Sequence, residues 1–271
     1  MERFFDRVAV VTGSGSGIGR ALAHSLAARG CNLALADIDA DGLAETARQV
    51  EATGRRVTTH EVDVSDRARM EAFAQQVEQA HGRADILINN AGVTVSATLE
   101  EQSLDDFAWV VGVNLWGVVH GCKMFLPLLR RQDEASIVNL SSMFGLIGVP
   151  RQTSYCATKF AVRGFSEALA VELAKTSVRV MSVHPGGIRT NIAKSARYRG
   201  DSVRTRDKTV AFFERRAMSP RRAAEQIVDG IAQGSERLLV TREAQVTDML
   251  KRVWPELPSR WLAWVQDRVL G

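Results

Sequence analysis

Short apolar or β-branched runs alternate along the chain with longer stretches whose apolar side chains recur every three or four residues. The runs lie at residues 8–11, 33–36, 57–62, 86–88, 137–140, 178–183 and 238–240, which makes seven predicted strands. Between them Ile18, Leu22 and Leu26, then Phe73 and Val77, then Ile227 and Ile231 have the one-sided spacing of helices that cover a core. Repeated βα units joined by right-handed crossovers predict one doubly wound parallel sheet with helices on both faces. No repeat, low-complexity tract or Gly/Ser linker divides the chain, so residues 1–271 are read as a single domain.

Two stretches break the alternation. Residues 191–219 are polar and Arg-rich, too long for an ordinary connection, and are expected to form a substrate lid. Ser219-Pro220 then has the form of a helix start, with Ser as N-cap and Pro at the first helical position. Residues 243–271 form a Trp-rich extension containing Trp254, Trp261 and Trp264, for which packing within the protein ranks ahead of another subunit or a membrane surface.

Composition sets outer limits. The chain is 45% hydrophobic and 24% charged, ordinary for a globular protein. Its net charge of +4 is concentrated between Asn191 and Arg222, where ten Lys/Arg face three Asp/Glu. No helix-turn-helix, zinc-ligand or aromatic-interleaved pattern accompanies that cluster, so no nucleic-acid partner is expected. The opening residues lack a signal-peptide pattern and no apolar run reads as long enough to span a bilayer, so no integral membrane segment is expected. Cys31, Cys122 and Cys156 are odd in number and far apart, which fits a reducing cytoplasmic setting, and the five histidines have no ligand-like grouping, so no metal is assigned.

The first run passes through Thr12-Gly13-Ser14-Gly15-Ser16-Gly17-Ile18-Gly19 into the first helix. Glycine lets a backbone turn tightly and approach a pyrophosphate, while a helix N-terminus offers unpaired N–H groups and partial positive charge. Gly13, Ser16, Gly17, Ile18 and Gly19 are therefore candidate cradle residues, although the spacing is TGxxxGxG rather than GxGxxG. For this loop taken by itself, a ligand-free glycine turn is the substantial minority reading. Asp37 adds a second sign, because it ends the second run about 20 residues on, where a carboxylate accepts hydrogen bonds from an adenosine ribose. Ile38 and Asp39 follow it, not arginine, so a 2′-phosphate would be repelled and NAD(H) is expected over NADP(H).

Tyr155 and Lys159 stand four apart in a helix-compatible segment and share a helical face. A tyrosine of pKa about 10 is a poor base at neutral pH, and a neighbouring ammonium is expected to lower it. Carbonyl reduction gathers negative charge on oxygen, which calls for a hydrogen-bond donor aimed there. Ser141 and Ser142, just beyond the fifth run, both qualify, and residue chemistry does not choose between them.

Together these features resemble the short-chain dehydrogenase/reductase family over residues 5–190, with further motifs at Asp63-Val64, Asn89-Asn90-Ala91-Gly92, Asn114 and residues 185–190. The resemblance implies a Rossmann-type α/β fold and favours Ser142 over Ser141 as the substrate-orienting serine. It implies that Asp63 and Val64 flank adenine, that Asn90, Ala91 and Gly92 line the cofactor ribose region, and that Ile188 and Thr190, in the stretch opened by Pro185 and Gly186, contact the carboxamide. Asn114 would hold a water extending the proton path from Lys159, completing a catalytic set of Asn114, Ser142, Tyr155 and Lys159. Homodimers or homotetramers paired through helices near Asn114 and Tyr155 are implied as well.

The expected reaction is hydride transfer between NAD(H) and an alcohol or carbonyl, with Tyr155 moving the proton. The apolar residues 143–150 suggest a hydrophobic small-molecule substrate such as a steroid, retinoid or aliphatic compound, with core packing an equal reading. The alternatives are an NADP(H)-dependent ketoreductase or acyl-thioester reductase, for which the lid arginines would attract an anionic carrier, and a non-catalytic nucleotide-sensing protein.

Overall fold

The computed structural model describes residues 4–255. Its first half runs β1 (Val8–Thr12), α1 (Gly17–Ala28), β2 (Asn32–Asp37), α2 (Ala40–Glu51), β3 (Val57–Glu61), α3 (Arg67–His81) and β4 (Ile86–Asn89). Then follow β5 (Val95–Ser96), α4 (Leu104–Val111), a π-turn (Gly112–Trp116), α5 (Gly117–Leu129) and β6 (Ala135–Leu140). A 3₁₀ turn (Met143–Gly145), α6 (Thr153–Leu173) and β7 (Val178–His184) complete the central part. The last part holds α7 (Ile192–Ser195), β8 (Arg197–Tyr198), α8 (Ser202–Arg216), α9 (Pro220–Gln233), β9 (Arg237–Leu239) and α10 (Arg242–Val253).

All seven expected strands enter one parallel sheet of order β3-β2-β1-β4-β6-β7-β9. Every residue of β1 and β4 is buried, as a strand covered on both faces must be. Leu22 and Leu26 of α1 pack with Ile227 and Ile231 of α9 on one face; Phe73 and Val77 of α3 pack with Phe125 and Leu129 of α5 on the other. This is the Rossmann-like doubly wound sheet. The direction of strand succession reverses between β1 and β4, and ligands in such sheets bind beyond the carboxyl ends of the strands at that reversal.

Three features depart from the sequence reading. β5 and β8 form a second, two-stranded parallel sheet that two-residue strands do not announce in sequence. The 191–219 segment is not an open loop: it carries α7, β8 and α8, and ends at Ser219, whose side chain caps α9 by accepting from Arg222 N at 3.3 Å, with Pro220 first in the helix as expected. Finally, the run Leu104–Leu129 is continuous helix with the length and mean hydropathy, 1.2, of a membrane span, contrary to expectation. The π-turn merges α4 and α5, and Val118, Cys122, Phe125, Leu128 and Leu129 are buried inside the protein. Of the tail, α10 and exposed Trp254 are described, while Trp261 and Trp264 lie outside the described residues.

Candidate active site

The turn after β1 is held by side chains rather than by glycine alone. Thr12 Oγ1 accepts from Asn90 N at 3.1 Å and Ala91 N at 3.2 Å, while Asn90 Nδ2 donates to the carbonyls of Thr12 and Gly13, both at 2.9 Å. Thr12 was not foreseen; its only sequence signal is its place before the first glycine. Gly13 has φ +65°, and a Cβ there would fall 2.8 Å from Ala91 Cα, so only glycine fits. A Cβ on Gly19 would fall 2.0 Å from the Gly13 carbonyl oxygen, which shows how closely α1 seats on the loop.

Ser16 precedes α1 in extended conformation without a side-chain cap, so the first amides at Gly17, Ile18 and Gly19 have no such partner. Gly17 faces Thr190, whose Cβ is 3.2 Å from where a glycine Cβ would stand. A bare helix end behind a tight glycine turn suits a pyrophosphate. Asp37 is fixed at the end of β2, accepting from Gly15 N at 2.7 Å and Asp39 N at 3.0 Å. Ile38 beside it is exposed. Arg20, just after the glycines in sequence, turns inward: its Nε donates to Thr46 Oγ1 at 2.8 Å and its Nη2 to the carbonyls of Gly15 and Gly42. Asp63 accepts from the amide and hydroxyl of Ser65, and buried Val64 contacts Gly117.

The catalytic candidates gather where β4, β6 and α6 meet. Asn114, fully buried in the π-turn, accepts from Val93 N at 2.8 Å and donates to Val93 O and Thr158 Oγ1. A Cβ on Gly92 would lie 3.5 Å from Asn114 Oδ1 and 3.6 Å from Lys159 Nζ, which places Gly92, Asn114 and Lys159 around one small space. Lys159 Nζ lies 5.5 Å from the Tyr155 ring centre and donates to Leu140 O at 2.7 Å. The two serines separate cleanly. Ser141 Oγ donates to the Lys159 carbonyl at 2.7 Å, tying α6 to the end of β6, whereas Ser142 accepts from Phe144 N at 3.1 Å and stands near enough to Tyr155 to influence its phenol.

Electrostatics correct one expectation. Tyr155 is pushed up to about 12 instead of down: burial raises it most, a hydrogen bond with Ser142 opposes that, and Cys156 adds a smaller rise. Lys159 is turned toward Leu140 O, and burial holds it down at about 8. Burial is the largest cause of the shift in both groups. His184, fully buried at the end of β7, was passed over as a lone histidine. Its Nδ1 lies 3.2 Å from the Ser142 carbonyl and its Nε2 3.3 Å from Ser182 Oγ, and burial lowers it to about 4, so the neutral ring props the Ser142 turn. Pro185 O holds the same turn by accepting from Met143 N at 2.8 Å, Ile188 is buried and bridges to Met218, and a Cβ on Gly186 would strike Thr241.

Around this centre, the Phe144 and Tyr155 rings meet edge to face at 6.1 Å. Leu146 and Ile147 are core residues, whereas Met143, Phe144 and Val149 are half-exposed. The 143–150 segment is thus divided between the two readings given to it. A groove of about 850 Å³ lies between α1 and α9, with Gly17 and Thr190 at one side; Tyr155 is not in its lining.

The 191–219 segment, expected from sequence to be a lid, is anchored by charge. Buried Asp106 of α4 accepts from Arg197 Nη1 and Arg199 Nε, both at 2.8 Å, and the Arg197 guanidinium lies 3.6 Å from the centre of the Trp109 ring. Burial would raise the Asp106 carboxyl, but the hydrogen bonds from Arg199 and Arg197 outweigh it and hold it below the usual range. A carboxylate depressed on folding stabilises above its unfolded pKa and loses that contribution as pH falls through the folded one. Asp106→Ala is therefore expected to cost about 1–2 kcal/mol at neutral pH and less at an acid pH below the ordinary carboxylate value of 3.8, read from urea midpoints. An equal loss at both pH values would refute the ion-pair account.

A serine, a tyrosine and a lysine gather near the glycine cradle, and comparison with known proteins shows which family the chain belongs to. The short chain dehydrogenase profile matches residues 7–200. SadH of Mycobacterium tuberculosis, which carries an oxidoreductase name, is 43% identical over 268 residues, 97% of this chain and 96% of SadH. Levodione reductase of Leifsonia aquatica is 35% identical over 215 residues, 78% and 80% of the two chains. A Burkholderia phymatum short chain dehydrogenase/reductase, solved in complex with NAD, superposes with TM-score 0.88 at 34% identity, covering 95% of this chain and 96% of that one. The chain belongs to the short-chain dehydrogenase family and is an oxidoreductase of that family.

Proposed function

We propose that this protein is an NAD(H)-dependent oxidoreductase that interconverts a hydrophobic primary or secondary alcohol and its carbonyl compound. The observation that carries the reading is the convergence of Ser142, Tyr155, Lys159 and Asn114 beside the Gly13–Gly19 cradle at the carboxyl edge of the sheet. A bound nicotinamide supplies the hydride donor or acceptor. The residues do the rest. Ser142 holds the substrate oxygen, and Tyr155 donates a proton to it in reduction or removes one in oxidation. With its phenol up at about 12, Tyr155 is protonated at neutral pH and ready to donate. Removing a proton requires the Lys159 ammonium to stabilise the phenolate. Asn114, closed against Val93 and Thr158, shapes the space next to Lys159 through which a water-mediated proton path would run.

Two observations favour NAD(H). Asp37 stands at the ribose position, and Arg20 is spent on Gly15, Gly42 and Thr46 instead of being free for a 2′-phosphate. Asp37→Ala is expected to weaken NADH binding about 10-fold to 100-fold, the value of a lost charge-assisted pair of hydrogen bonds, while NADPH binding improves. Fluorescence titration of both cofactors reads the ratio, and an unchanged ratio refutes the assignment.

Substrate class rests on Phe144, Met143 and Val149 at the opening, with residues 191–219 as the lid of a single 1–271 domain. The ion pairs of Arg197 and Arg199 with Asp106, and of Lys194 with Glu214, disfavour an anionic acyl carrier. A panel of steroids, retinol, aliphatic alcohols and hydroxyacyl thioesters, followed by NADH formation, tests the reading; activity only on thioesters, or on nothing, overturns it. Exposed Trp116 and Phe160 support subunit pairing through α5 and α6 as a homodimer or homotetramer, and three buried free thiols support a cytoplasmic setting.

A further inference from the structure

His184 takes no part in moving the proton or the hydride, yet both of its ring nitrogens have partners. Fully buried at the end of β7, it shares a strand face with Val178, Val180 and Ser182, and the two valines pack with Val162 and Leu169 of α6. Nδ1 stands 3.2 Å from the Ser142 carbonyl oxygen and Nε2 3.3 Å from Ser182 Oγ. The ring is neutral: burial holds its pKa down at about 4, with Arg237 and Arg163 adding to the fall and the Ser142 carbonyl and Asp248 opposing it. A neutral imidazole carries one N–H, and a carbonyl oxygen can only accept. The proton therefore sits on Nδ1, and Nε2 accepts from the Ser182 hydroxyl.

This tautomer bears on Ser142, which leaves β6 in extended conformation and opens the 3₁₀ turn. Two bonds on Ser142 arise inside the turn and travel with it: Phe144 N donates to its Oγ at 3.1 Å and Gly145 N to its carbonyl at 2.9 Å. His184 ties the same carbonyl to β7, while Met143 N ties the turn to Pro185 O at 2.8 Å. Holding the carbonyl fixes the peptide plane after Ser142, and with it the direction of the Cβ and Oγ. A buried polar ring among valines is costly unless its hydrogen bonds are made, so packing alone would favour an apolar side chain at this position. A positioned group displaced by about 1 Å costs a reaction about 100-fold.

We propose that His184 is a positioning residue for the reaction: as the Nδ1–H tautomer it fixes the Ser142 carbonyl, and through it the direction in which Ser142 Oγ meets the substrate oxygen. The inference rests on the reading of the site as one that interconverts an alcohol and its carbonyl compound.

The tautomer and the kinetics are measured separately. Nitrogen NMR of the isotope-labelled full chain tells a protonated ring nitrogen from an unprotonated one, and His184 is identified among the five histidines by the loss of its signals in His184→Asn. The expected result at neutral pH is a protonated Nδ1 and a bare Nε2. The reverse overturns the proposal, because the Ser142 carbonyl would then face a lone pair. For the kinetics, asparagine places its amide nitrogen as many bonds from Cα as Nδ1 and can donate to the same carbonyl, whereas the glutamine amide reaches the place of Nε2. His184→Gln is expected to lower kcat about 10-fold to 100-fold with the alcohol KM and NADH affinity within about twofold, and His184→Asn to recover kcat to within about threefold of the parent. Packing alone gives the opposite order, since glutamine fills the space of histidine better than asparagine, and activity would then follow the urea midpoints. Full kcat in His184→Gln, or a kcat in His184→Asn as low as in His184→Gln, overturns the proposal; either variant decides alone should the other fail to fold. A parent chain without turnover on any panel substrate refutes the activity instead, and the tie of His184 to Ser142 is then judged by the tautomer.

Discussion

Tyr155→Phe is expected to lower turnover by about 10²–10⁴-fold, the usual worth of a positioned acid or base, while NADH affinity stays within about twofold. The substitution removes one oxygen. The ring, its edge contact with Phe144 and the seat of α6 all remain. Ser142 keeps its hydrogen bond from Phe144 N and so stays in place. Steady-state rates with the best alcohol from the panel, alongside fluorescence titration of NADH, check both halves. Retained turnover would remove Tyr155 from the chemistry, and a parallel loss of NADH binding would make it a structural residue.

Lys159→Met is expected to split stability from activity. Burial lowers Lys159 from 10.5 to about 8, and at 1.36 kcal/mol per pKa unit this opposes folding by about 3 kcal/mol at neutral pH. The sign follows from proton counting. Below about pH 8 both folded and unfolded chains carry the charge and the penalty is complete; between about 8 and 10.5 the unfolded chain holds a proton that the folded chain lacks, so stability rises with pH and the penalty disappears. Methionine fills similar space without charge but leaves the Leu140 carbonyl without its donor, a cost of about 1–2 kcal/mol. The net expectation is a variant about 1–2 kcal/mol more stable than the parent at pH 7 but about 1 kcal/mol less stable near pH 10, where the unmade hydrogen bond is no longer offset, and with activity down about 100-fold or more. Urea midpoints at both pH values and the alcohol assay measure it. A variant destabilised at pH 7 would mean that the hydrogen bond outweighs the buried charge.

The sheet was legible because most of its strands hold short apolar runs separated by one-sided helical patterns, such as residues 8–11 in β1 and 86–88 in β4. The same logic was silent on β5 and β8, since two residues carry no periodicity and their pairing is decided by the Asp106 ion pairs and Trp109 stacking. Tyr155 and Lys159 could be paired from their four-residue spacing, but Ser141 and Ser142 differ only in direction. That direction is set by Ser141 donating across to the Lys159 carbonyl, a contact made by tertiary folding. His184 and Thr12 stayed hidden for a related reason. Each works through a neighbour's backbone, so no residue-type pattern advertises it. The direction of the Tyr155 shift was misjudged because spacing reveals a nearby ammonium and not how deeply the phenol is desolvated.

Asp106 fastens Arg197 and Arg199 to α4, and α4 continues without a break through the turn that carries Asn114. Grafting residues 191–219 of this chain onto a relative would thus transfer two orphan guanidinium groups unless Asp106 and Trp109 travelled with them. On the proposed reading of residues 191–219 as a substrate lid, the unit to exchange for altering substrate preference is this pair of segments, remote in sequence and joined at one carboxylate.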